Sequence, residues 1–515
     1  MSAMQRLVKN ERVTYSIAIL VSLLISLWMS AKVAVINPDA VCYLMAAKAV
    51  GEGGVHGAMT LCGQASWPFY SLLIYQFVHL THVSYAAIAY GLDALFSAVS
   101  VFTFILIAKT LGGTKRIMWF AAATILLAHE FNSVREYIIR DHGFWAFYLL
   151  SFYFLLRYFT TPSTWVAIAF NASLLVASLF RIEGIFFLMA LPFLALFYQS
   201  FSMKERFHAF FRLNTLTLFA GMFLVIWLIL HPQQTLTHLG RLVEIPEQFR
   251  HGLALISDRY VAARNALAQH VLTADSAKEA SLVMMVMLMA WYLMSVIGNL
   301  SWPYTIMVIY AWSRRFITLS PSARLVWWGY IAINVFVTFM FLLERFFLSK
   351  RYLIALSLVL MLWVPFVLDD LWKKRRAMRY RVLFAVLTLW IAIAGWHSML
   401  NRGYSKAYIE EAGSWIATHI PKEAMLYTND PQLMYYTDHY DRQLFEKARI
   451  YTDMNAIANN KWRQFDYLAL RIHQKEASKR MAELNGMSII PIKIFQNKRH
   501  DQVIVYRVIN EERQP

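Results

Sequence analysis

Residues 15–39 read YSIAILVSLLISLWMSAKVAVINPD, an apolar run that ends in a proline and an acid. From position 15 to 36 it carries one charged side chain, Lys32. A helix needs about 20 apolar residues to cross a hydrocarbon core of about 30 Å. A cleaved signal peptide has a shorter apolar region, of about 7 to 15 residues. The stretch therefore predicts an uncleaved membrane-spanning helix at the start of the chain.

The composition extends this pattern to most of the chain. Of 515 residues, 59% are hydrophobic and 16% are charged, whereas soluble domains are about 45 to 50% apolar. This excludes a soluble enzyme and long disordered regions. We predict a polytopic α-helical membrane protein with about eleven spans. After the span at 15–36, the other predicted spans are 84–108, 116–130, 142–158, 163–180, 184–200, 213–230, 288–312, 325–343, 352–371 and 382–399.

The net charge of +18 is distributed in a way that indicates membrane topology. Residues 400–515 hold 17 Lys and Arg against 14 Asp and Glu, so the remaining +15 lies in residues 1–399. Alternate ends of the predicted spans, including the N-terminus, carry 19 Lys and Arg against 4 Asp and Glu. The positive-inside rule explains this better than a nucleic-acid surface does. We expect no nucleic-acid partner and a bacterial inner-membrane protein with a cytoplasmic N-terminus.

The pattern changes near residue 400, which predicts two domains, a transmembrane domain at 1–399 and a small α/β domain at 400–515. Eleven spans place this second domain in the periplasm. It contains two predicted helices, at 407–419 and 474–484. Its predicted strands are 424–428, 449–452, 467–472, 489–495 and 503–508. About 115 residues are enough for an independent core.

Asp39 is the first candidate for chemistry, because carboxylates are scarce in a membrane protein. It follows the first span in the motif Asn37-Pro38-Asp39. Pro38 disfavours helix at Asn37, so the chain should turn there and a helix should begin. An ionised Asp at that helix start could accept a proton. The alternative is that Asp39 only caps the helix.

A second group of ionisable side chains surrounds the predicted external turn between the third and fourth spans. Its members are Glu130, Arg135, Glu136, Arg140, Asp141 and His142. Six such residues within 13 positions exceed what helix capping needs. The alternative is a solvated loop with local salt bridges.

The third group lies in Glu344-Arg345-Phe346-Phe347-Leu348-Ser349-Lys350-Arg351-Tyr352, predicted to be another external turn. Its three cations oppose the positive-inside tendency, so they favour an anionic partner such as a lipid phosphate. Contact with ordinary membrane headgroups is the alternative. Arg181 and Glu183 also lie at span ends, and their spacing of two is poor for a helical pair. We expect each of them to meet a different neighbour.

The chain has two cysteines, Cys42 and Cys62, both in the first predicted external loop. An oxidising periplasm permits a disulfide between them. Alternatively, Cys42 packs against a neighbouring helix as a small apolar residue. There is no HExxH or CxxC pattern, so no cofactor is predicted with certainty and a divalent cation is left open.

Taken together, these features resemble the GT-C membrane glycosyltransferases. The resemblance rests on the first-loop carboxylate, on Trp67-Pro68-Phe69-Tyr70-Ser71-Leu72-Leu73 leading into the second span, on the Arg140-Asp141 pair and on Lys350-Arg351-Tyr352-Leu353. Tyr427-Thr428-Asn429-Asp430-Pro431 is similar to the first strand and turn of a periplasmic domain in such proteins. The bacterial members related to protein O-mannosyltransferases and lipid A aminoarabinose transferases are the most similar.

The resemblance implies transfer of a sugar from a polyprenyl-phosphate donor to a hydroxyl acceptor at the periplasmic face. It implies that Asp39 acts as the base, that Asp141 is a second catalytic acid, and that Lys350, Arg351 and Tyr352 contact the donor phosphate.

Arg135 and Arg140, in the turn that carries Asp141, are further candidates for substrate binding. The expected partners are the donor, membrane lipids and an unidentified acceptor. Many relatives have two adjacent acids in the first loop, but here Ala40 follows Asp39. This departure weakens any analogy to a paired-acid or metal arrangement.

A transporter or flippase of a lipid-linked sugar is the alternative function. It would use similar basic and aromatic residues, but it would also need polar groups in the middle of the membrane and a path to both faces. In this sequence the ionisable groups concentrate at the predicted external boundary, which favours the transferase.

Overall fold

The structure is a computed structural model that describes residues 11–230, 241–314, 319–400, 405–437 and 461–509. The chain forms two compact units. The first contains residues 1–29, 91–135 and 140–400, and the second contains residues 30–90, 136–139 and 401–515. The first external loop is thus grouped with the C-terminal residues. The division into 1–399 and 400–515 stays a prediction.

Helices account for nearly all of the regular structure before residue 400. They are α1 Glu11–Ser30, α2 Pro38–Met59, α3 Phe69–Thr81, α4 Tyr85–Thr110, α5 Lys115–Leu126, α6 His129–Ser133, α7 Asp141–Thr160, α8 Thr164–Phe180, α9 Gly184–Ala190, α10 Leu194–Phe197, α11 Met203–Leu213, α12 Thr215–Leu230, α13 Arg241–His270, α14 Ala280–Leu300, α15 Trp302–Arg314, α16 Pro321–Arg345, α17 Lys350–Met361, α18 Val364–Lys373 and α19 Met378–Ser398.

Six of the described helical stretches are long and apolar enough to cross a membrane: Glu11–Ser30, Tyr85–Thr110, Ala274–Leu300, Pro321–Arg345, Lys350–Lys373 and Met378–Ser398. The bent pair formed by α11 and α12 gives a seventh if it is one span. Helices α8 and Gly184–Phe197 are apolar but shorter. The chain is an integral membrane protein, while the count of about eleven spans stays a prediction.

The predicted span at 288–312 is wrong as a single helix. Helix α14 ends at Leu300 and α15 begins at Trp302. Ser301, between them, has a φ of 67°, which no residue of a right-handed helix adopts. Pro303 at the start of α15 adds to the break, since proline lacks the N–H that a continuous helix would use.

Helices α7 and α8 pack closely over much of their length. Gly143 in α7 permits this approach, because the ring of Phe180 at the end of α8 occupies the space where a Cβ would lie. The C-terminal end of α8 is thereby held beside the N-terminal end of α7, where Asp141 lies. This packing positions part of the site described below.

In the second unit, helices α2 and α3 pack against each other. Cys42 and Cys62 form a disulfide, with their Cα atoms 6.1 Å apart. The predicted disulfide is therefore confirmed, and the alternative of an unpaired Cys42 is wrong. Helix α2 is irregular at Gly53 and Gly54, where Gly54 has a φ of 62°, a conformation that glycine adopts without steric cost.

The C-terminal part of this unit is a four-stranded sheet with helices on it. The elements are α20 Ala407–His419, β1 Leu426–Thr428, α21 Pro431–Thr437, β2 Tyr467–Ile472, α22 Ala477–Leu484, β3 Ile489–Gln496 and β4 Gln502–Val508. The strand order is β1-β2-β4-β3, with β1 parallel to β2 and the other two pairings antiparallel.

Alternate residues of β2 face two hydrophobic clusters, as the two-residue period of a strand requires. Ala469 packs in the cluster formed with α20, and Leu468 and Leu470 pack in the cluster formed with Trp462 and Leu484. Most of the predicted helices and strands lie within a few residues of those observed. The strand predicted at 449–452 lies outside the described residues.

Candidate active site

The first unit encloses a cavity of about 860 Å³. Its walls are mainly apolar, and several of the side chains that line it are also exposed on the surface of the unit. These exposed lining side chains are Phe186, Met189, Phe193 and Phe336. Its polar lining includes Arg181, Glu183, Glu344, Arg351 and Tyr352. The cavity therefore offers a long apolar surface together with a small set of charged groups.

Arg181 is the centre of the charged groups. Helix α8 ends at Phe180, and Arg181 has extended backbone angles, with φ −141° and ψ 130°. This turn lets its guanidinium pair with Glu183 through two nitrogens and with Asp141 through a third contact. The expectation that Arg181 and Glu183 meet different neighbours is wrong, because it assumed helical spacing where the chain is extended.

The charge balance of this group is set by Arg181. Burial alone would raise the pKa of Glu183, but the Arg181 guanidinium outweighs burial and lowers that pKa to about 2. Arg140 lowers it further. Glu183 is therefore ionised at neutral pH, and Arg181 is shared between two carboxylates, those of Asp141 and Glu183.

Tyr352 and Arg351 reach the same group from the first turn of α17. The Arg181 guanidinium lies over the Tyr352 ring, with its central carbon 4.5 Å from the ring centroid, and the Arg351 guanidinium carbon lies 5.4 Å from the same centroid. Both residues line the cavity. The structure thus brings Asp141, Arg351 and Tyr352 of the predicted site together around Arg181.

Lys350, the neighbour of Arg351, is held by Glu130. Its ammonium donates to Glu130 Oε1 at 2.7 Å. Burial would raise the pKa of Glu130, but hydrogen bonds with His129 and Lys350 outweigh it, so the pKa lies below its ordinary value. The backbone carbonyl of Lys350 accepts from Asn299 Nδ2 at 2.6 Å. Lys350 is therefore fixed at both its backbone and its charged end.

Arg135 is buried, with 3% of its surface exposed. Its guanidinium donates to Ser22 and Ser26 of α1 and to Asn132. These contacts tie the turn between α6 and α7 to α1. Substrate binding by Arg135 and Arg140 stays a prediction.

His142 is buried as well, and its two ring nitrogens contact Ser97 and the Val134 carbonyl. Glu130 and Asp141 are also buried. The alternative of a solvated loop is therefore wrong for these residues and for Arg135.

Asp39 lies in the second unit, as the second residue of α2. Asn37 is the residue at the N-cap position and Pro38 is the first residue of the helix. The alternative in which Asp39 caps the helix is therefore wrong. The Asp39 carboxylate instead accepts from Gln64 Nε2 at 3.2 Å. Asp39 is half-buried, so part of its surface stays accessible.

The described residues contain no group of three or more His, Cys, Asp or Glu side chains placed to hold a metal ion. Asp141 and Glu183 are both paired with Arg181.

The arrangement of helices and sheet has a counterpart among solved structures. The crystal structure of ArnT from Cupriavidus metallidurans bound to undecaprenyl phosphate matches with a TM-score of 0.57, covering 97% of this chain and 98% of that chain at 14% sequence identity. The chain therefore has the fold of this ArnT structure.

Two other matches are weaker. The apo structure of ArnT from the same organism has a TM-score of 0.45 at 13% identity and covers 96% of this chain and 97% of that chain. Arabinofuranosyltransferase AftD from Mycobacteria has a TM-score of 0.49 at 13% identity, over 97% of this chain and 40% of that chain. No protein-family profile and no curated sequence matches the chain. The comparisons therefore establish a similarity of fold.

Within this fold, Arg181 and Glu183 belong to the charged group that lines the cavity. The sequence predicts them only as charged residues at span ends. The signal that could have found them is their position, since a cation and a carboxylate at the junction of two apolar stretches need partners inside the protein.

Proposed function

We propose that the chain is a membrane glycosyltransferase that moves a sugar from a polyprenyl-phosphate donor to a hydroxyl acceptor at the periplasmic face. The observation that carries this proposal is the cavity of about 860 Å³, which combines apolar walls with Arg181 and Arg351. An isoprenoid chain would lie on the apolar surface, and its phosphate would bind the guanidinium groups. The fold supports the proposal, since ArnT was solved with undecaprenyl phosphate bound.

The chemistry assigns different tasks to the cations and to Asp39. The bond between the anomeric carbon and the phosphate oxygen breaks, and its electron pair stays on the phosphate. Arg181 and Arg351, with Lys350, stabilise that growing charge. The acceptor oxygen forms the new bond to the anomeric carbon and gives its proton to Asp39. Attack from the face opposite the leaving phosphate inverts the configuration of that carbon.

Asp141 has a supporting task in this proposal. Its carboxylate pairs with Arg181, and so it sets the position of a guanidinium that contacts the phosphate. Glu183 pairs with the same guanidinium. Two carboxylates around one arginine keep the local charge from becoming strongly positive in the absence of donor.

A periplasmic site is supported by two independent features. The basic residues concentrate on the opposite ends of the predicted spans. The disulfide between Cys42 and Cys62 lies in the loop that carries Asp39, and disulfides persist in oxidising compartments such as the periplasm.

The first test measures donor binding. Purified protein in detergent should bind undecaprenyl phosphate, and Arg351→Ala should weaken that binding by about tenfold or more, the range expected for a charge-assisted contact of about 1.5 to 3 kcal/mol. Arg264→Ala is the matched control, because Arg264 contacts its neighbour Asn265 and does not line the cavity. Equal binding by wild type and Arg351→Ala would contradict the proposed phosphate site.

The second test separates the transferase from a transporter. Gene deletion should remove a sugar from a cell-envelope glycolipid or glycoprotein, detected as a mass shift. That species, incubated with lipid extract and purified protein in detergent micelles, should regain the sugar. A flippase needs two compartments separated by a bilayer, so it would give no product in micelles. Failure of transfer in micelles together with activity in sealed vesicles would favour the transporter.

A further inference from the structure

Residues 34–36, shortly before the helix of Asp39, pack into the C-terminal part of the second unit. Val35 and Ile36 are 8% and 5% exposed. The side chain of Val35 belongs to the cluster formed by α20, α21 and the sheet, which includes Ile409, Leu433 and Val505. A connection between a membrane span and a surface helix would ordinarily be exposed and mobile, so this burial requires an explanation.

Helix α21 holds the backbone of Ile36 at both of its polar groups. The Ile36 N–H donates to the Tyr436 hydroxyl at 3.1 Å. The side-chain amide of Gln432 donates to the Ile36 carbonyl. Gln432 is 2% exposed and lies 396 positions from Ile36 in the sequence.

The direction of the Gln432 amide is set by Arg471. Arg471 donates to Gln432 Oε1 at 3.2 Å, so that oxygen is an acceptor and the amide nitrogen must face Ile36. Arg471 also pairs with Asp430. Asp430 in turn accepts from the backbone N–H groups of Gln432 and Leu433, at 2.8 and 3.0 Å. The start of α21 is therefore held in place by contacts that do not involve Ile36.

Asn37 adds a second attachment next to Ile36. Its side-chain oxygen accepts from the Ile138 N–H at 2.9 Å, and its side-chain nitrogen donates to the Ile138 carbonyl at 3.3 Å. Four hydrogen bonds thus hold residues 36 and 37, and Asp39 is two residues further along, in the first turn of α2.

We propose that Gln432 and Tyr436 are positioning residues for Asp39, so that the C-terminal domain sets where the carboxylate stands. This inference rests on the proposed function of Asp39 as the base. Both residues act through the Ile36 backbone, which determines where α2 begins. Proton transfer requires heavy-atom distances of about 2.6 to 3.2 Å, and a misplacement of about 1 Å can cost about a hundredfold in rate.

The test uses substitutions that remove one polar group and keep the packing. Tyr436→Phe removes the hydroxyl that accepts from Ile36, and Gln432→Met removes the donor to the Ile36 carbonyl. We expect the rate at saturating donor to fall by about tenfold in each variant and by up to about a hundredfold in the double variant. Binding of undecaprenyl phosphate should stay at the wild-type level, because the cavity is in the other unit.

Tyr506→Phe is the matched control. Tyr506 is a buried tyrosine in strand β4 of the same unit, but it packs in the cluster with Trp462 and Leu484, away from Ile36. It should lose no activity. A melting temperature close to that of wild type for Tyr436→Phe would exclude unfolding as the cause of a lower rate.

Combination with Asp39→Asn decides between positioning and a general structural effect. If Tyr436 acts through Asp39, adding Tyr436→Phe to Asp39→Asn should cause no further loss of rate. Two results would overturn the positioning role alone. One is the same tenfold loss from Tyr436→Phe in the wild-type and the Asp39→Asn backgrounds. The other is wild-type rates in the Gln432 and Tyr436 variants while Asp39→Asn is inactive. Full activity of Asp39→Asn itself would overturn the assignment of the base and, with it, this inference.

Discussion

Arg181 shows how one residue determines the charge of the cavity. Its guanidinium contacts Asp141 and Glu183 and lies over Tyr352, so three of the groups around the cavity depend on its position. A buried arginine without partners would be very costly, whereas one shared between two carboxylates is stabilised and oriented. The bidentate fork of arginine also suits a phosphate, and lysine at this position would lose that geometry.

Asp39→Asn tests the base directly. The asparagine has the same size and can still contact Gln64, so the melting temperature and the binding of undecaprenyl phosphate should match wild type. The rate of sugar transfer should fall by about a hundredfold or more, since the acceptor proton has no base. Near wild-type transfer by the purified variant would make Asp141 the leading candidate for the base.

Glu130→Gln tests the ion pair between Glu130 and Lys350, through the pH dependence of the melting temperature. Because the pKa of Glu130 is lowered in the folded protein, its ionised form stabilises the fold above the unfolded-state pKa of 4.5. That stabilisation is lost as pH falls through the lowered pKa. The melting temperature of wild type should exceed that of Glu130→Gln at neutral pH, and the difference should shrink below about pH 4.5.

Glu136→Gln is the control for this titration, because burial raises the pKa of Glu136 instead of lowering it. The neutral form of Glu136 is then favoured in the folded protein, so Glu136→Gln should not lose stability at neutral pH. A melting temperature difference for Glu130→Gln that does not change with pH would exclude its ion pair as the cause.

For helices and strands, the hydrophobic pattern was sufficient to predict where many elements lie, but it did not predict where a helix is interrupted. The pattern predicted α20 at 407–419 and β2 at 467–472 with the observed bounds, because a continuous amphipathic period determines both. It missed the break at Ser301, although Pro303, two residues further on, is a local signal for it. It also missed the pairing of Arg181 with Glu183, which depends on the extended backbone of Arg181 and not on composition.

Gly184→Ala tests how tightly the turn after Arg181 is packed. A Cβ at this position would lie 2.7 Å from both the Cα and the backbone nitrogen of Ser178, and backbone cannot move aside as a flexible side chain does. We expect a loss of about 1 to 3 kcal/mol in the free energy of unfolding, measured by denaturation in detergent. Binding of undecaprenyl phosphate should also weaken, because Arg181 would be displaced.

Gly221→Ala is the matched control for that substitution. Gly221 lies in α12, and a Cβ added there would have no described atom within 4 Å, so alanine should leave stability unchanged or raise it by up to about 1 kcal/mol. Equal effects of the two substitutions would contradict a specific packing role for Gly184.

At the scale of the whole molecule, the predicted sidedness connects the charges with the disulfide. The basic residues at one set of span ends predict a cytoplasmic N-terminus, and the cysteine pair independently favours an oxidising compartment for residues 42–62. The two arguments use different residues and agree. The charge argument needs only the sequence. The disulfide argument needs the structure, because the sequence alone left the pairing of the cysteines open.

Fusions to alkaline phosphatase test this sidedness, since that enzyme becomes active only in the periplasm. A fusion after Pro515 should be active, and a fusion after Arg376, among the basic residues that follow α18, should be inactive. Activity after Arg376 and none after Pro515 would reverse the proposed orientation.

Cys42→Ser tests the contribution of the disulfide. Its sequence separation is 20 residues, which in the chain-entropy model is worth about 3 kcal/mol. The variant should have a lower melting temperature, and its melting should no longer respond to reducing agent. A wild-type melting temperature that is itself unaffected by reductant would contradict a stabilising bond.

The contact between Gln432 and Ile36 has a consequence for biosynthesis. The two residues are 396 positions apart, and ribosomes add about 5 to 20 residues per second. The segment around Ile36 therefore leaves the ribosome about 20 to 80 s before its partner exists. During that interval the apolar side chains of Val35 and Ile36 have no native cover, so the nascent protein would depend on the translocation machinery or a chaperone. A ribosome that stops before residue 430 would release a protein whose segment around Ile36 never acquires these native contacts, a natural substrate for membrane quality-control proteases.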